Sequence, residues 1–193
     1  MTNQIRRNIL MSLVLWTFAC YAYAAPKSET AKVRNIIDKV NNSWQTRHKP
    51  EATPFWHVAA YHTGNMEVYR LTGNKKYLDY SMAWAEHNKW RGATSNDRSK
   101  WKYNYGETPE HVLFGDWQIC FQTYLDLYNI LPDDNRIRRA REVMEYEMST
   151  RANDYWWWAD GLYMVMPVMT KLHKATGNAL YLDKLYEYIQ YSD

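Results

Sequence analysis

The sequence predicts an all-α fold of helical hairpins that stack side by side or close into a ring, and three observations support this. Apolar residues recur at helical spacing along most of the chain, whereas strand patterns are scarce. The motif Thr-Gly-Asn-x-x-Tyr-Leu-Asp occurs twice, at 72–79 and at 176–183. The chain of 193 residues is 46% hydrophobic, which suits one domain with a packed core.

The repeated motif stops one helix and begins the next, because a glycine commonly follows the last turn of a helix. The stretch "LPDDN" at 131–135 has the same role between the two copies, with a degenerate sequence. The repeating unit is therefore an αα-hairpin on the order of 50 residues long. One hairpin cannot bury its apolar face alone, so such units pack against their neighbours.

The helix boundaries follow from these stops and from the spacing of apolar residues. A polar stretch from Arg91 to Thr108 is a long connection in the middle of the chain. The predicted helices cover residues 28–48, 54–71, 75–90, 109–130, 135–149, 160–175 and 179–193.

Residues 1–24 have the features of a signal peptide. Arg6 and Arg7 precede the short apolar run "NILMSLVLWTFACYA", and Ala22-Tyr23-Ala24 offers a cleavage site. The sequence therefore predicts an exported protein, periplasmic or secreted, whose domain comprises residues 25–193. A lipoprotein anchored through Cys20 is the less favoured alternative. No later segment is apolar enough to cross a membrane, so stable membrane insertion is not expected.

Charge and composition exclude several function classes. Loss of Arg6 and Arg7 with the signal peptide lowers the formal net charge from +3 to +1, and no basic stripe indicates a nucleic-acid partner. A Gly-rich phosphate loop and a serine-hydrolase elbow are both absent from the sequence. The mature chain keeps only Cys120, which excludes an internal disulfide. No metal or other cofactor is predicted, because the histidines lack metal-ligand spacing: His57, His62, His87 and His111.

A ring of hairpins places the N-terminal ends of all the first helices at one mouth. Indole and phenol rings would line that mouth, because the chain contains 10 Trp and 17 Tyr. The positive ends of the helix dipoles would favour an anionic ligand there. The residues expected at the mouth are Tyr61 and His62 from the first inner helix, Asp116, Trp117 and Gln118 from the second, and Trp158 and Asp160 from the third.

Asp116 and Asp160 are the candidate catalytic residues of this mouth. Two carboxyl groups that share a desolvated site raise the pKa of one of them, which yields a proton donor near neutral pH. General acid/base chemistry on a glycoside requires such a group. The alternative role is structural, because an aspartate at the start of a helix is a preferred N-cap. This alternative carries more weight for Asp160 than for Asp116.

The tryptophans at 156–158 cannot all face one way on a regular backbone. We expect one or two of them to pack between helices and one, Trp158, to face the cavity. Met164 lies four residues after Asp160 and therefore on the same helical face. Packing in the core is the alternative for each tryptophan and for Met164 and Met166.

Three segments resemble glycoside hydrolase family 105, the unsaturated rhamnogalacturonyl hydrolases, and more distantly family 88. They are "YHTGNMEVYRLTGNKKYLDY" (61–80), "GDWQICFQTYLDLY" (115–128) and "WWWADGLYMVMPVMTKLHKATGNALYLD" (156–183). The resemblance implies an (α/α)6 barrel, of which about three of six hairpins are present. It also implies oligosaccharide substrates that carry a 4,5-unsaturated uronic acid, and hydration of the C4=C5 bond. In this resemblance Asp160 is the general acid/base, Asp116 assists it, Trp158 and Met164 line the uronate subsite, and Tyr61 and His62 are looser matches.

The chain departs from the family pattern in two respects. The first aspartate motif commonly has paired acids, where this chain has Gly115-Asp116. A full barrel needs roughly 300 residues, so the length predicts a truncated product or fragment. An open barrel edge would expose apolar surface and favour self-association. The alternative function is an inactive fragment, or a non-catalytic helical module that binds sugar or a partner protein.

Overall fold

A computed structural model describes residues 27–192, which contain α-helices, one 3-10 turn and no strand. The predicted all-α class is thereby confirmed, while the predicted signal peptide, 1–24, lies outside the described residues. Within the described part no helix is both long and apolar enough to span a bilayer. The helices are α1 (Lys27–Arg47), α2 (Trp56–Thr72), α3 (Lys75–His87), α4 (Gly115–Gln118), α5 (Cys120–Ile130), α6 (Asp134–Ser149), α7 (Ala159–Thr176) and α8 (Leu180–Ser192), with the 3-10 turn at Arg98–Lys100.

The chain divides into two compact units, Met1–Arg47 and His48–Asp193. Helix α1 is the described part of the first unit. The second unit consists of three hairpins, α2–α3, α5–α6 and α7–α8, as the repeat predicts. Helices α2, α5 and α7 contact one another in series and form an inner layer, and α3, α6 and α8 pack outside them. The core lies between the layers and includes Trp84, Tyr124, Trp156 and Tyr188.

The two copies of the repeated motif have the same local structure. Gly73 and Gly177 adopt left-handed φ angles of 65° and 73°, which only glycine reaches without strain. The Asn74 side chain then accepts a hydrogen bond from the Lys76 amide at 3.1 Å and begins α3. Asn178 accepts from the Leu180 amide at 3.0 Å in the same way. The degenerate copy uses Asp133, which accepts from the Asn135 amide at 3.0 Å.

A buried charge cluster joins the three inner helices near their C-terminal ends. Asp126 of α5 is 2% exposed, and its two carboxylate oxygens lie 2.5 Å from Arg70 Nη2 and 2.8 Å from Lys171 Nζ. Arg70 belongs to the last turn of α2, and Lys171 lies five residues before the end of α7. The C-terminal ends of the inner helices are therefore neighbours, and this parallel arrangement brings their N-terminal ends together at the opposite side.

The long connection between α3 and α4 is held against α6. Arg139 of α6 donates to the carbonyl oxygens of Ala93 and Ser95 at 3.3 and 2.6 Å and stacks its guanidinium 4.9 Å from the Trp101 ring. Helix α4 begins at Gly115, later than the predicted 109–110, because residues 109–114 are used in this connection. Helix α2 likewise begins at Trp56 and not at Pro54.

Candidate active site

A cavity of about 460 Å³ opens where the first turns of the three inner segments meet. Helix α2 contributes an indole, the α4–α5 segment contributes a carboxylate, and α7 contributes a second carboxylate with its aromatic neighbours. The connection before α4 adds one exposed phenol. The lining residues are Trp56, Ala60, Tyr105, Phe114, Asp116, Ile119, Trp157, Trp158, Asp160, Tyr163 and Met164.

Asp116 and Asp160 face this one cavity from neighbouring helices but differ in exposure. Asp116 is 5% exposed, whereas Asp160 is open to solvent. Burial raises the pKa of Asp116 to about 6, and the negative charges of Asp160 and Glu107 add to the shift. The sequence predicts that one carboxyl of the pair has a raised pKa, and burial assigns that shift to Asp116. Asp116 therefore keeps a proton at pH values where an ordinary aspartate is ionised.

Neither aspartate is the N-cap of its helix, so the capping alternative is wrong. The N-cap residues are Phe114 and Trp158, and neither side chain makes a capping hydrogen bond. Asp116 and Asp160 lie in the first turns instead, where the helix dipole favours a negative charge. Neither carboxylate is therefore an N-cap, and both lie on the cavity wall.

The three consecutive tryptophans divide between the core and the cavity. Trp156 is 1% exposed and packs its ring 4.9 Å from Tyr188 of α8. Trp158 lines the cavity, as predicted, with its ring 4.9 Å from Phe114. Trp157 also lines the cavity and is 53% exposed. Only one of the three therefore packs in the core.

Two glycines enclose the Trp158 indole. A Cβ atom on Gly115 would lie 3.1 Å from the indole Cη2 and 3.3 Å from a methyl group of Val165. A Cβ atom on Gly161 would lie 3.1 Å from Trp156 Cβ and 3.5 Å from Trp158 Cε3. Each glycine is the chain neighbour of one aspartate of the pair. The glycines thus let the indole pack between the two helix starts that carry the carboxylates.

Met164 and Tyr163 form the cavity wall one turn after Asp160. Met164 is buried, as expected of a core residue, but it also lines the cavity. Tyr163 is 55% exposed, and its hydroxyl lies 3.3 Å from Thr63 Oγ1 on α2. This contact joins the first and third inner helices across the rim of the cavity.

Two residues predicted at the mouth, Trp117 and Gln118, do not line the cavity. Trp117 donates from Nε1 to the Gly106 carbonyl at 3.2 Å and packs its ring 4.7 Å from Phe55. Gln118 is fully buried and donates to Glu147 Oε1 at 2.5 Å. Successive residues of a helix diverge by about 100°, and here this rotation directs Trp117 toward Phe55 and Gln118 toward Glu147, while Asp116 faces the cavity.

Tyr61 and His62 also lie outside the cavity wall. Because α2 begins at Trp56, they occupy its second turn, and Trp56 and Ala60 take the expected place at the mouth. His62 is 1% exposed, lies 2.9 Å from Ser81 Oγ through Nδ1 and stacks 3.9 Å from the Trp84 ring. Burial lowers the pKa of His62 to about 3, so its imidazole stays neutral.

Several aromatic residues of the cavity were not predicted from the sequence, above all Trp56, Tyr105 and Trp157. Trp56 could have been found, since it follows Pro54 at a helix start. Tyr105 has no periodic signal, because it comes from the long connection. Its ring lies on the cavity wall and packs edge-on against the ring of Phe114, with 5.7 Å between the two centroids.

Comparisons with known proteins agree with this architecture. The family model for Glycosyl Hydrolase Family 88 matches residues 30–193. A solved structure described as a polysaccharide lyase is 64% identical, with a TM-score of 0.84 over 86% of this chain and 47% of its own. A solved glycosyl hydrolase family 88 protein from Bacteroides vulgatus is 58% identical, with a TM-score of 0.84 over 84% of this chain and 47% of its own. The chain thus spans about half the length of both structures. No curated protein matches it.

Proposed function

Because the chain belongs to glycosyl hydrolase family 88, we propose that it acts on unsaturated uronyl oligosaccharides, the products of polysaccharide lyases, by hydrating their C4=C5 double bond. The observation that carries the proposal is the pair Asp116 and Asp160 on one aromatic cavity wall. A hydration needs one proton delivered to carbon and one removed from water, and one carboxyl group with a second carboxyl group beside it can do both in turn. The resemblance to family 105 favours rhamnogalacturonyl-type substrates.

Asp160 is proposed as the general acid/base. It is exposed at the mouth, where substrate and water can both reach it. Its carboxyl group delivers a proton to C4, and the resulting carboxylate takes a proton from the water that bonds to C5. The C5 hemiketal then opens to a ketone, the C1 hemiacetal breaks down to an aldehyde, and the remaining sugar leaves with its hydroxyl group.

Asp116 is proposed to support this cycle as the second acid. Its raised pKa lets it hold a proton beside Asp160 up to about pH 6. The proton delivered to C4 and the proton taken from water balance, so the pair returns to its starting state after one turnover. Trp158 and Met164 are proposed to hold the uronate ring against the two carboxyl groups.

The solved relatives carry two different names, a lyase and a hydrolase, and the two activities act in opposite directions on the same bond. A lyase creates the C4=C5 double bond and raises the ultraviolet absorbance of the sample. The proposed hydratase consumes that bond and lowers the absorbance. The family model and the Bacteroides vulgatus relative favour the second activity.

The test is to incubate the purified protein with intact acidic polysaccharides and, separately, with lyase-generated oligosaccharides. We expect the absorbance to fall with the oligosaccharides and to stay constant with the polymers. A reaction in D2O should place deuterium stereospecifically at C4 of the product. A rise in absorbance with a polymer would establish a lyase instead, and sugar binding without any absorbance change would establish the non-catalytic module.

Export to the periplasm or the medium stays a prediction that fractionation of expressing cells can test.

Self-association also stays a prediction. Helix α8 exposes Leu180, Tyr186 and Tyr191, which are 59%, 63% and 55% exposed, and such side chains suit a contact between copies. Sizing of the purified chain at several concentrations measures it.

A further inference from the structure

We propose that a second groove, which continues from the cavity, binds the following residues of an acidic oligosaccharide. This aromatic groove encloses about 650 Å³ and is lined by Trp101, Lys102, Tyr103, Asn104, Tyr105 and Trp157. The proposal rests on the proposed function in taking its ligand to be the remainder of the molecule whose end occupies the cavity.

The aromatic groove and the cavity share two walls. Tyr105 and Trp157 line both, so a ligand chain can pass from one space into the other along the same two rings. The two spaces together measure roughly the size of several sugar rings. A single unsaturated uronic acid in the cavity would leave the aromatic groove empty, whereas a longer oligosaccharide would fill it.

The shared rings are exposed yet held in place. Tyr105 is 68% exposed and Trp157 is 53% exposed, so neither ring serves mainly to fill the core. The Trp157 indole is fixed because its Nε1 donates to the Tyr103 carbonyl oxygen at 3.2 Å. The Tyr103 ring in turn packs 5.0 Å from Tyr155, edge to face. Rigid rings with exposed faces bind ligands at a low entropic cost, and the C–H faces of sugars stack on them.

The backbone of the groove floor is equally constrained. The Lys102 amide donates to the Glu110 carbonyl oxygen at 2.9 Å, and the Leu113 amide donates to the Lys102 carbonyl oxygen at 3.1 Å. The indole of Trp101 donates to the Ser95 carbonyl oxygen at 3.1 Å and is covered by the Arg139 guanidinium. The groove is therefore a preformed surface and not a loose loop.

The polar groups of the groove indicate an acidic sugar. Lys102 and Asn104 are exposed on its rim, and the Lys102 ammonium forms no ion pair with a carboxylate of residues 27–192. The cavity wall carries two carboxylates, whereas the groove wall carries this cation. A uronate in the groove would pair its carboxylate with Lys102 and direct its hydroxyl groups to the Asn104 amide. An apolar protein segment would offer no carboxylate to Lys102, whereas the Asn104 amide already donates to the Tyr105 carbonyl oxygen at 3.1 Å.

The experiment measures binding by calorimetry and does not depend on turnover. The ligands are glucuronic acid and a saturated tetrasaccharide of alternating uronate and rhamnose. The variant Lys102→Gln/Asn104→Ala changes only exposed side chains of the groove rim, and Lys174→Gln, an exposed lysine of α7, is the matched control. A third variant, Tyr105→Ala, removes a shared wall.

We expect wild-type protein and Lys174→Gln to bind the tetrasaccharide at least about tenfold more tightly than the monosaccharide. Lys102→Gln/Asn104→Ala should lose most of that difference and keep the affinity for the monosaccharide, whereas Tyr105→Ala should weaken the binding of both ligands, because Tyr105 also lines the cavity. If the tetrasaccharide gains nothing over the monosaccharide, or if Lys102→Gln/Asn104→Ala keeps the gain, the proposal is wrong. Length-dependent binding without any turnover would support the groove and contradict the hydrolase, so the two failures are distinguishable.

Discussion

The side chain of Gln122 supplies a hydrogen bond that Pro167 cannot make. Proline lacks an amide hydrogen, so Pro167 leaves the Tyr163 carbonyl oxygen without its usual helical donor. Gln122 Nε2, from the neighbouring helix α5, donates to this oxygen at 2.9 Å and to the Met164 carbonyl oxygen at 2.9 Å. Both acceptors belong to residues of the cavity wall, so Gln122 holds that wall where the helix itself is weakest.

This relationship predicts an interaction between two substitutions. Gln122→Leu should lower the free energy of unfolding by about 1–3 kcal/mol, because it leaves the partly buried Tyr163 carbonyl oxygen without a donor. In a Pro167→Ala background the loss should be smaller by about 1 kcal/mol, since the alanine amide can donate to Tyr163. Urea denaturation of the four proteins measures this. Equal losses in both backgrounds would show that Gln122 acts only by packing.

A buried acid–amide pair predicts a stability that falls with rising pH. Burial raises the pKa of Glu147 to about 8, and its Oε1 accepts from Gln118 Nε2 at 2.5 Å. Glu147 Oε2 and Gln118 Oε1 are also buried and have no partner in the described part of the chain. A proton on Glu147 removes the cost of a buried negative charge at this position.

The folded state holds this proton more tightly than the unfolded state. The contribution of the proton to the free energy of unfolding is therefore complete at pH values below the ordinary glutamate pKa. It is lost as the pH rises toward 8, by about 1.4 kcal/mol per pH unit. Glu147→Gln should remove this slope and be more stable than wild type at about pH 8. Urea denaturation at several pH values checks it, with exposed Glu86→Gln as control. A slope that persists in Glu147→Gln means that another group titrates.

The surroundings of two glycines predict different effects for their substitution by alanine. Gly115→Ala should displace the indole, which a Cβ atom would approach to 3.1 Å, and so weaken ligand binding in the cavity. Gly64→Ala, in the interior of α2, meets nothing within 4 Å and should stabilise the helix by about 0.5–1 kcal/mol. Thermal unfolding and calorimetric sugar titration separate the two effects. Unchanged sugar affinity in Gly115→Ala would remove the positioning role of Trp158.

The carboxyl pair predicts a measurable coupling. The Asp160 charge contributes to the raised pKa of Asp116, second to burial. Asp160→Asn should therefore lower the pKa of Asp116 and leave it above that of an ordinary aspartate. Carbon-13 NMR titration of the Asp116 carboxyl group measures this, and Asp79→Asn, an exposed residue paired with Lys75, is the control. An unchanged Asp116 titration in Asp160→Asn would mean that the two groups do not interact.

The hairpin architecture could be predicted from sequence because its determinants are local. Gly73 and Gly177 reach left-handed angles that other residues avoid, and the asparagine after each begins the next helix. Asp116 and Asp160 could be placed together for the same reason, since parallel inner helices bring their first turns to one mouth. The repeated helix stops and the helical spacing of apolar residues therefore predicted both the hairpin fold and the placement of the two candidate acids.

The remaining wall of the cavity depends on features that periodicity does not encode. Helix phase turned Trp117 and Gln118 away from the cavity, and Tyr61 and His62 lie in the second turn of α2, beyond Trp56 in its first turn. Tyr105 lies at the cavity because side-chain contacts hold the long connection against α6. Such contacts join residues far apart in sequence, so no local pattern predicts them.

The most direct test of the central claim measures turnover of an unsaturated uronyl oligosaccharide by four proteins. Turnover is recorded as the loss of the ultraviolet absorbance of the substrate. The proteins are wild type, Asp160→Asn, Asp116→Asn and the exposed control Asp79→Asn, each checked for folding. We predict turnover in wild type and Asp79→Asn, none detectable in Asp160→Asn, and a strong reduction in Asp116→Asn. Turnover that survives in Asp160→Asn, or a wild-type protein that binds the substrate and leaves its absorbance unchanged, would contradict the account.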